Sequence, residues 1–175
     1  MEHLTLSTLI SEAKIQTRIQ ELGTSIKEKL DGKEVIAVGV LKGSIMFYAD
    51  LLRNIDMDIK CEFYGCSSYG NSTKSSGEVK LTMDINSSIK DKHILLIEDI
   101  VDTGLTMNYL KSVLKARKPA SITTASLLIK PDCLKEPCEV DFTGFEIGNE
   151  FVVGFGLDFQ GFYRNLPYIA TVNMN

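Results

Sequence analysis

The segment Glu98-Asp99-Ile100-Val101-Asp102-Thr103-Gly104-Leu105-Thr106 sets three carboxylates within five residues and follows them with Thr-Gly-x-Thr. It comes directly after His93-Ile94-Leu95-Leu96-Ile97, a run that reads as a strand covered on both faces. A helical pattern runs on from about Thr103 to Arg117, so the acids stand where a strand hands over to a helix. In an open α/β sheet that edge is where ligands bind. The N–H groups of the helix start and the hydroxyls of Thr103 and Thr106 suit a phosphate, with Gly104 allowing close approach. Paired acids repel a phosphate but suit sugar hydroxyls or a hydrated Mg²⁺. The combination describes a site for a phosphorylated sugar. The plainer reading makes Asp99 and Asp102 helix caps and leaves Glu98 solvated, but a cap needs only one such residue.

The elements that must position these groups are legible around them. Ser11 can cap a helix to about Leu30 whose apolar residues fall at Ile15, Ile19, Leu22, Ile26 and Leu30. Val35 to Leu41 is a buried strand, Gly43 opens a helical pattern to about Ile55, and Met57 to Tyr64 reads as a further strand. Residues 65–77 hold three glycines and five serines, with Tyr69 the only large side chain, and read as a mobile loop and candidate lid. Glu78 to Asp84 alternates as the returning strand of that hairpin, Ser121 to Ile129 is a strand, and Val140–Phe145, Phe151–Val153 and Ile169–Val172 are short strand candidates. Strands alternating with helices predict an α/β fold with a doubly wound, mainly parallel sheet flanked by helices.

The 175 residues suit one domain, 1–175, able to bury about 70% of its extended surface. Net charge −4 without a basic block argues against a nucleic-acid partner, and no apolar run approaches a membrane span. The N-terminus has neither a signal nor a transit pattern, so the cytoplasm is expected. Cys61, Cys66, Cys133 and Cys138 form two pairs with four intervening residues, not the spacing of a zinc or redox motif, and read as buried or half-buried apolar side chains. His3 and His93 form no triad or metal cluster, and the chain lacks both the P-loop and the dinucleotide glycine fingerprint.

The acidic stretch, with its preceding hydrophobics, resembles the phosphoribosyl diphosphate (PRPP) motif of the type I phosphoribosyltransferases. Leu41-Lys42-Gly43-Ser44 resembles their pyrophosphate loop, and Ser67-Ser68-Tyr69-Gly70 with Ser75-Ser76-Gly77-Glu78-Val79-Lys80 the closing loop of the hypoxanthine-guanine members. Ser126-Leu127-Leu128-Ile129-Lys130 and Phe151-Val152-Val153-Gly154-Phe155-Gly156-Leu157-Asp158 resemble their purine-recognition segments, so the likeness runs from about residue 8 to residue 170.

This resemblance implies that fold, with a small hood of short strands from the N- and C-terminal segments, and purine salvage as the activity. Hypoxanthine, and guanine with it, would react with PRPP to give IMP or GMP and pyrophosphate. Asp102 would be the general base accepting the purine N7 proton. Glu98 and Asp99 would bind the ribose hydroxyls, and Thr103, Gly104 and Thr106 the 5′-phosphate. Lys42, Gly43 and Arg164 would hold the pyrophosphate with Mg²⁺, and Glu98, Asp99 and Asp158 would supply metal ligands. Ser68 and Tyr69 would close over an oxocarbenium-like state and exclude water. Phe151 would stack on the purine, Lys130 would donate to its 6-oxo group, and backbone carbonyls near Val152 and Asp158 would accept ring and exocyclic protons. A homodimer or homotetramer is implied.

Read singly, Lys42 is an ordinary loop lysine, Lys130 a solvated strand end and Phe151 core. The chain departs from the family at Phe155 and Phe159, where tyrosine is common, at Gln160-Gly161-Phe162, and at Cys66. Two rivals share the fold: a ligand-sensing regulator without turnover, and a transferase for another acceptor such as xanthine or uracil. The order of preference among 6-oxopurines is left open.

Overall fold

In the computed structural model, which describes residues 5–68 and 79–173, strand β1 (Thr5–Ile10) leads into helix α1 (Glu12–Leu30). The Ser11 hydroxyl caps that helix by accepting from the Lys14 N–H at 3.4 Å. Ile15, Ile19, Leu22, Ile26 and Leu30 are all buried, as a stripe at helical spacing requires. Then come β2 (Val35–Leu41), α2 (Ile45–Arg53), β3 (Ile59–Ser68), β4 (Val79–Met83), β5 (His93–Val101), α3 (Leu105–Ala116) and β6 (Ser121–Ile129). A 3-10 turn (Pro131–Cys133), β7 (Phe142–Glu146), β8 (Val152–Val153) and β9 (Ile169–Asn173) complete the described chain.

Six strands form one sheet in the order β4-β3-β2-β5-β6-β7, parallel throughout except for β4, which returns antiparallel beside β3. This is the doubly wound, mainly parallel sheet that the alternation predicts. Helices α1 and α2 cover one face, burying Ile19, Phe47 and Leu51 against Ala37, Leu95 and Ile97. Helix α3 covers the other with Met107, Leu110 and Leu114 against Ile36, Val38, Ile94 and Leu96. Alternate residues of the central strands thus serve opposite cores, which is why they read as unbroken apolar runs.

A separate antiparallel sheet, β1-β9-β8, joins the two terminal segments into the small hood. Among the described residues no helix is long and apolar enough to cross a membrane. β3 runs past Tyr64 to Ser68, into the serine-rich stretch, because Cys66 pairs with Leu81 and Gly65 with Leu41 whatever their side chains. All four cysteines are free; Cys66, Cys133 and Cys138 are half-buried or buried, but Cys61 faces solvent, contrary to the expectation for it.

Candidate active site

Along the sheet, β2 has β3 on one side and β5, the next parallel strand of the chain, on the other. Winding therefore reverses between β2 and β5, and the crevice at their carboxyl ends is the switch point where such sheets take ligands. β2 delivers Leu41-Lys42-Gly43-Ser44 to it, with a cis peptide between Leu41 and Lys42 and the Lys42 side chain exposed. β5 delivers Glu98 to Val101 and, just beyond, Asp102.

Gly43 and Asp99 meet in this crevice. A Cβ on Gly43 would fall 1.7 Å from Asp99 Oδ2, so only glycine lets the loop lie against the carboxylate. Adjacent strand residues point to opposite faces, and the two acids have different neighbours accordingly. Asp99 lies within the fields of Arg164 and Asp158. Glu98, 5% exposed, acts instead on the thiols of Cys66 and Cys138. Burial pushes the Asp99 carboxyl up to about 6 against the opposing N–H of Ile100, its own N–H and the Arg164 charge. Burial, with the Asp99 charge second, raises Glu98 well above the carboxylate range, and its Oε2 has no partner. A buried carboxyl oxygen without a partner is costly, so this one calls for a donor from outside the described residues.

Asp102, Thr103 and Gly104 form the turn into α3. Gly104 adopts φ +79°, a left-handed conformation, and this ends β5 and delays the helix to Leu105 rather than Thr103. The turn is fastened from outside by the Lys135 N–H, which donates to Thr103 O at 3.0 Å. Thr103 and Thr106 are half-buried and Asp102 is exposed at the mouth. The first N–H groups of α3, which begins right after Gly104, lack intrahelical partners, the feature a phosphate cradle uses.

The other wall carries the expected purine residues. The Lys130 N–H donates to Val101 O at 2.9 Å, which brings its side chain, 7% exposed, next to the acidic turn. It is not a solvated strand end. Phe151 is 44% exposed and meets Phe159 edge to face at 5.8 Å, so it is a presented ring and not core. Val152 is buried in β8, opposite Thr171 of β9. Arg164 donates to Gly156 O at 2.6 Å and to Asp158 Oδ1 at 2.6 Å, which fixes the guanidinium on the Asp99 side.

Among the described residues no group of three or more His, Cys, Asp or Glu side chains gathers as a metal cage. Asp99 and Asp158 share one side of the crevice, while Glu98 stands apart from them. One or two carboxylates with room for phosphate oxygens and waters is the donor set Mg²⁺ takes at substrate-assisted sites, and Asp99 with Asp158 fits it. Tyr69 lies outside the described residues, and Ser68 is placed only as the end of β3. Two contacts at the site have no motif to announce them, although Phe159 stands out in sequence as a departure from the family's usual tyrosine. Phe159 buttresses Phe151, and Cys133 donates to Asn149 Oδ1 at 3.0 Å beside Asp102.

The phosphoribosyl transferase domain family matches residues 8–160. The chain is 46% identical over 172 residues to the hypoxanthine-guanine phosphoribosyltransferase of Bacillus subtilis, covering 98% of this chain and 96% of that protein. A crystal structure of a Bacillus anthracis hypoxanthine-guanine phosphoribosyltransferase, with HEPES in its active site, superposes with a TM-score of 0.91 at 42% identity, covering 98% of this chain and all (100%) of that one. A Staphylococcus aureus hypoxanthine phosphoribosyltransferase gives a TM-score of 0.91 at 42% identity, covering 95% and 91% of the two chains.

Proposed function

The chain belongs to the phosphoribosyltransferase family, and from that premise we propose that it moves the 5-phosphoribosyl group of PRPP to N9 of hypoxanthine and of guanine, releasing pyrophosphate with IMP or GMP. It is a purine-salvage transferase of the hypoxanthine-guanine type. The observation that carries the residue assignment is the approach of Gly43 to Asp99 at the switch point, beside the start of α3.

The Thr103–Thr106 turn takes the 5′-phosphate, so that C1′ is held in place with little motion left before reaction. Asp99 and Glu98 receive the ribose hydroxyls, which supply the donor that Glu98 Oε2 lacks. Lys42 and Arg164 offset the charge of the departing pyrophosphate. Mg²⁺, held by Asp99 and Asp158, would add Lewis-acid neutralisation of the pyrophosphate oxygens. Phe151 stacks on the base, and Lys130 donates to its 6-oxo group. Asp102, exposed at the mouth, accepts the N7 proton as N9 bonds to C1′. Adenine is rejected because its 6-amino group leaves the Lys130 ammonium unpaired. Ser68 and Tyr69 close the site in this reading. A homodimer or homotetramer is the assembly in this reading, and four free thiols suit a reducing compartment such as the cytoplasm.

The test is nucleotide formation from PRPP and Mg²⁺ with hypoxanthine, guanine, xanthine and adenine supplied separately. Turnover of the 6-oxopurines and not adenine is expected; PRPP binding without conversion of any base would replace this reading with that of a sensor.

A further inference from the structure

Behind the Thr103–Thr106 turn lies a strap, residues 134–139, that runs from the Pro131–Cys133 turn towards β7 and has no part in the chemistry. It is fastened to the start of α3 by hydrogen bonds along its length. The Lys135 N–H donates to Thr103 O at 3.0 Å, Asn108 Nδ2 donates to Pro137 O at 3.1 Å, and Lys111 Nζ donates to Glu139 O at 3.2 Å. Asn108 also donates its N–H to Gly104 O at 3.0 Å, so one residue holds the turn with its backbone and the strap with its side chain. Between these bonds the strap is pressed onto Gly104. A Cβ there would lie 2.9 Å from Cys138 Cβ and 3.3 Å from both Glu136 O and Leu134 Cδ2.

The peptide between Thr103 and Gly104 is trans, so its carbonyl and its N–H point in opposite directions. With Thr103 O drawn towards Lys135, the Gly104 N–H is turned away from the strap. Released from Lys135, that peptide is free to rotate, because a glycine at φ +79° resists the motion less than any other residue. We propose that the strap is the positioning element of the phosphate turn, with the Lys135 N–H and the Asn108 side chain as the groups that aim the Gly104 N–H at the 5′-phosphate of PRPP. The proposal rests on the assignment of that phosphate to the Thr103–Thr106 turn.

The test uses Lys135→Pro, Lys135→Ala, Asn108→Ala and Thr106→Ala. Proline removes the Lys135 N–H, and Leu134 before it already has the extended backbone (φ −60°, ψ 124°) that a following proline requires. Alanine removes the exposed Lys135 side chain and keeps the N–H. KM is measured for PRPP and for hypoxanthine, with ribose 5-phosphate and inorganic pyrophosphate as inhibitors that probe the two ends of PRPP. Loss of one hydrogen bond should raise KM for PRPP and the inhibition constant of ribose 5-phosphate about fivefold in Lys135→Pro and in Asn108→Ala. Pyrophosphate inhibition and KM for hypoxanthine should stay within about twofold, a split that general loosening of the fold does not produce. Lys135→Ala should match the parent to within about twofold. A Lys135→Pro enzyme with the parent's KM for PRPP overturns the proposal, as does an alanine variant as impaired as the proline one, or equal weakening of ribose 5-phosphate and pyrophosphate. If Thr106→Ala weakens ribose 5-phosphate while Lys135→Pro does not, the phosphate turn stands and only the role of the strap fails. If Thr106→Ala leaves ribose 5-phosphate unaffected, the phosphate assignment fails and the role of the strap with it.

Discussion

Replacing Gly43 by alanine should disable the ribose end of the site while leaving the fold standing. The new methyl carbon would lie 1.7 Å from Asp99 Oδ2 and 2.6 Å from its Cγ. Since relaxed C–H···O contacts begin near 3.3 Å, the carboxylate must retreat by about 1.5 Å. Asp99 is a side chain at the rim of a crevice and can retreat by leaving its rotamer well, at a cost of about 1 kcal/mol. That corresponds to a fall in Tm of only about 3 °C for a chain of this size. Catalysis is far less forgiving, because a misplacement of about 1 Å can cost about 100-fold. We therefore expect kcat/KM for PRPP to fall by at least about 100-fold, equivalent to about 2.7 kcal/mol of transition-state stabilisation. Initial rates over a PRPP series at saturating hypoxanthine, with thermal melts alongside, measure both numbers. A Gly43→Ala enzyme within threefold of the parent would refute the reasoning, since it would mean that the position of Asp99 does not matter to PRPP.

Lys130→Ala should reduce the preference for hypoxanthine over adenine at least about tenfold, because the donor that penalises a 6-amino group is gone; an unchanged ratio of kcat/KM values removes Lys130 from that role. Phe151→Ala should raise KM for hypoxanthine about tenfold by forfeiting roughly 1–3 kcal/mol of stacking, with KM for PRPP unaffected and, since the ring is 44% exposed, little change in urea midpoint. Asp141 accepts from the Thr124 N–H at 2.8 Å, Thr124 Oγ1 at 2.9 Å and Lys29 Nζ at 2.5 Å, so Asp141→Ala should cost about 1–2 kcal/mol at pH 7. Burial raises this carboxyl, but Lys29 and Thr124 outweigh it and hold it below its ordinary value. The folded state therefore binds its proton less readily than the unfolded state, and the stabilisation is present above the unfolded value near pH 4 and lost as pH falls through the depressed folded one. The gap between parent and Asp141→Ala urea midpoints should accordingly narrow at low pH; a gap that stays constant contradicts this.

The sheet, its helices and the acidic turn were legible because their signals are local: apolar runs, helical spacing, and carboxylates beside a glycine and two threonines. Where the chain departs from the pattern, a distant partner decides. Gly43 opens a helical pattern in sequence, but its place against Asp99 keeps it in the loop, and α2 begins only at Ile45. β1 has little buried surface to announce it, and it exists as a strand because β9 pairs with it from the other end of the described chain. Phe151 could be core or ring platform from its F-V-V context alone; only the third dimension decides, by setting Phe159 against it in a T-shaped pair and leaving it 44% exposed. The Cys133–Asn149 contact joins residues sixteen apart in chain order, with no periodicity or motif to reveal it.

The pairing of β1 with β9 has a consequence in time. The Gly43 loop and the acidic turn lie between Val35 and Ala116, whereas Val152 beside Phe151 is held by Thr171 of β9. At about 5–20 residues per second of synthesis, the segments that bear Gly43, Asp99 and Asp102 are made several seconds before the strand that steadies Phe151. In the proposed reading Arg164 and Asp158 also come late, so neither the pyrophosphate end nor the platform for the base is complete until the last strand has docked.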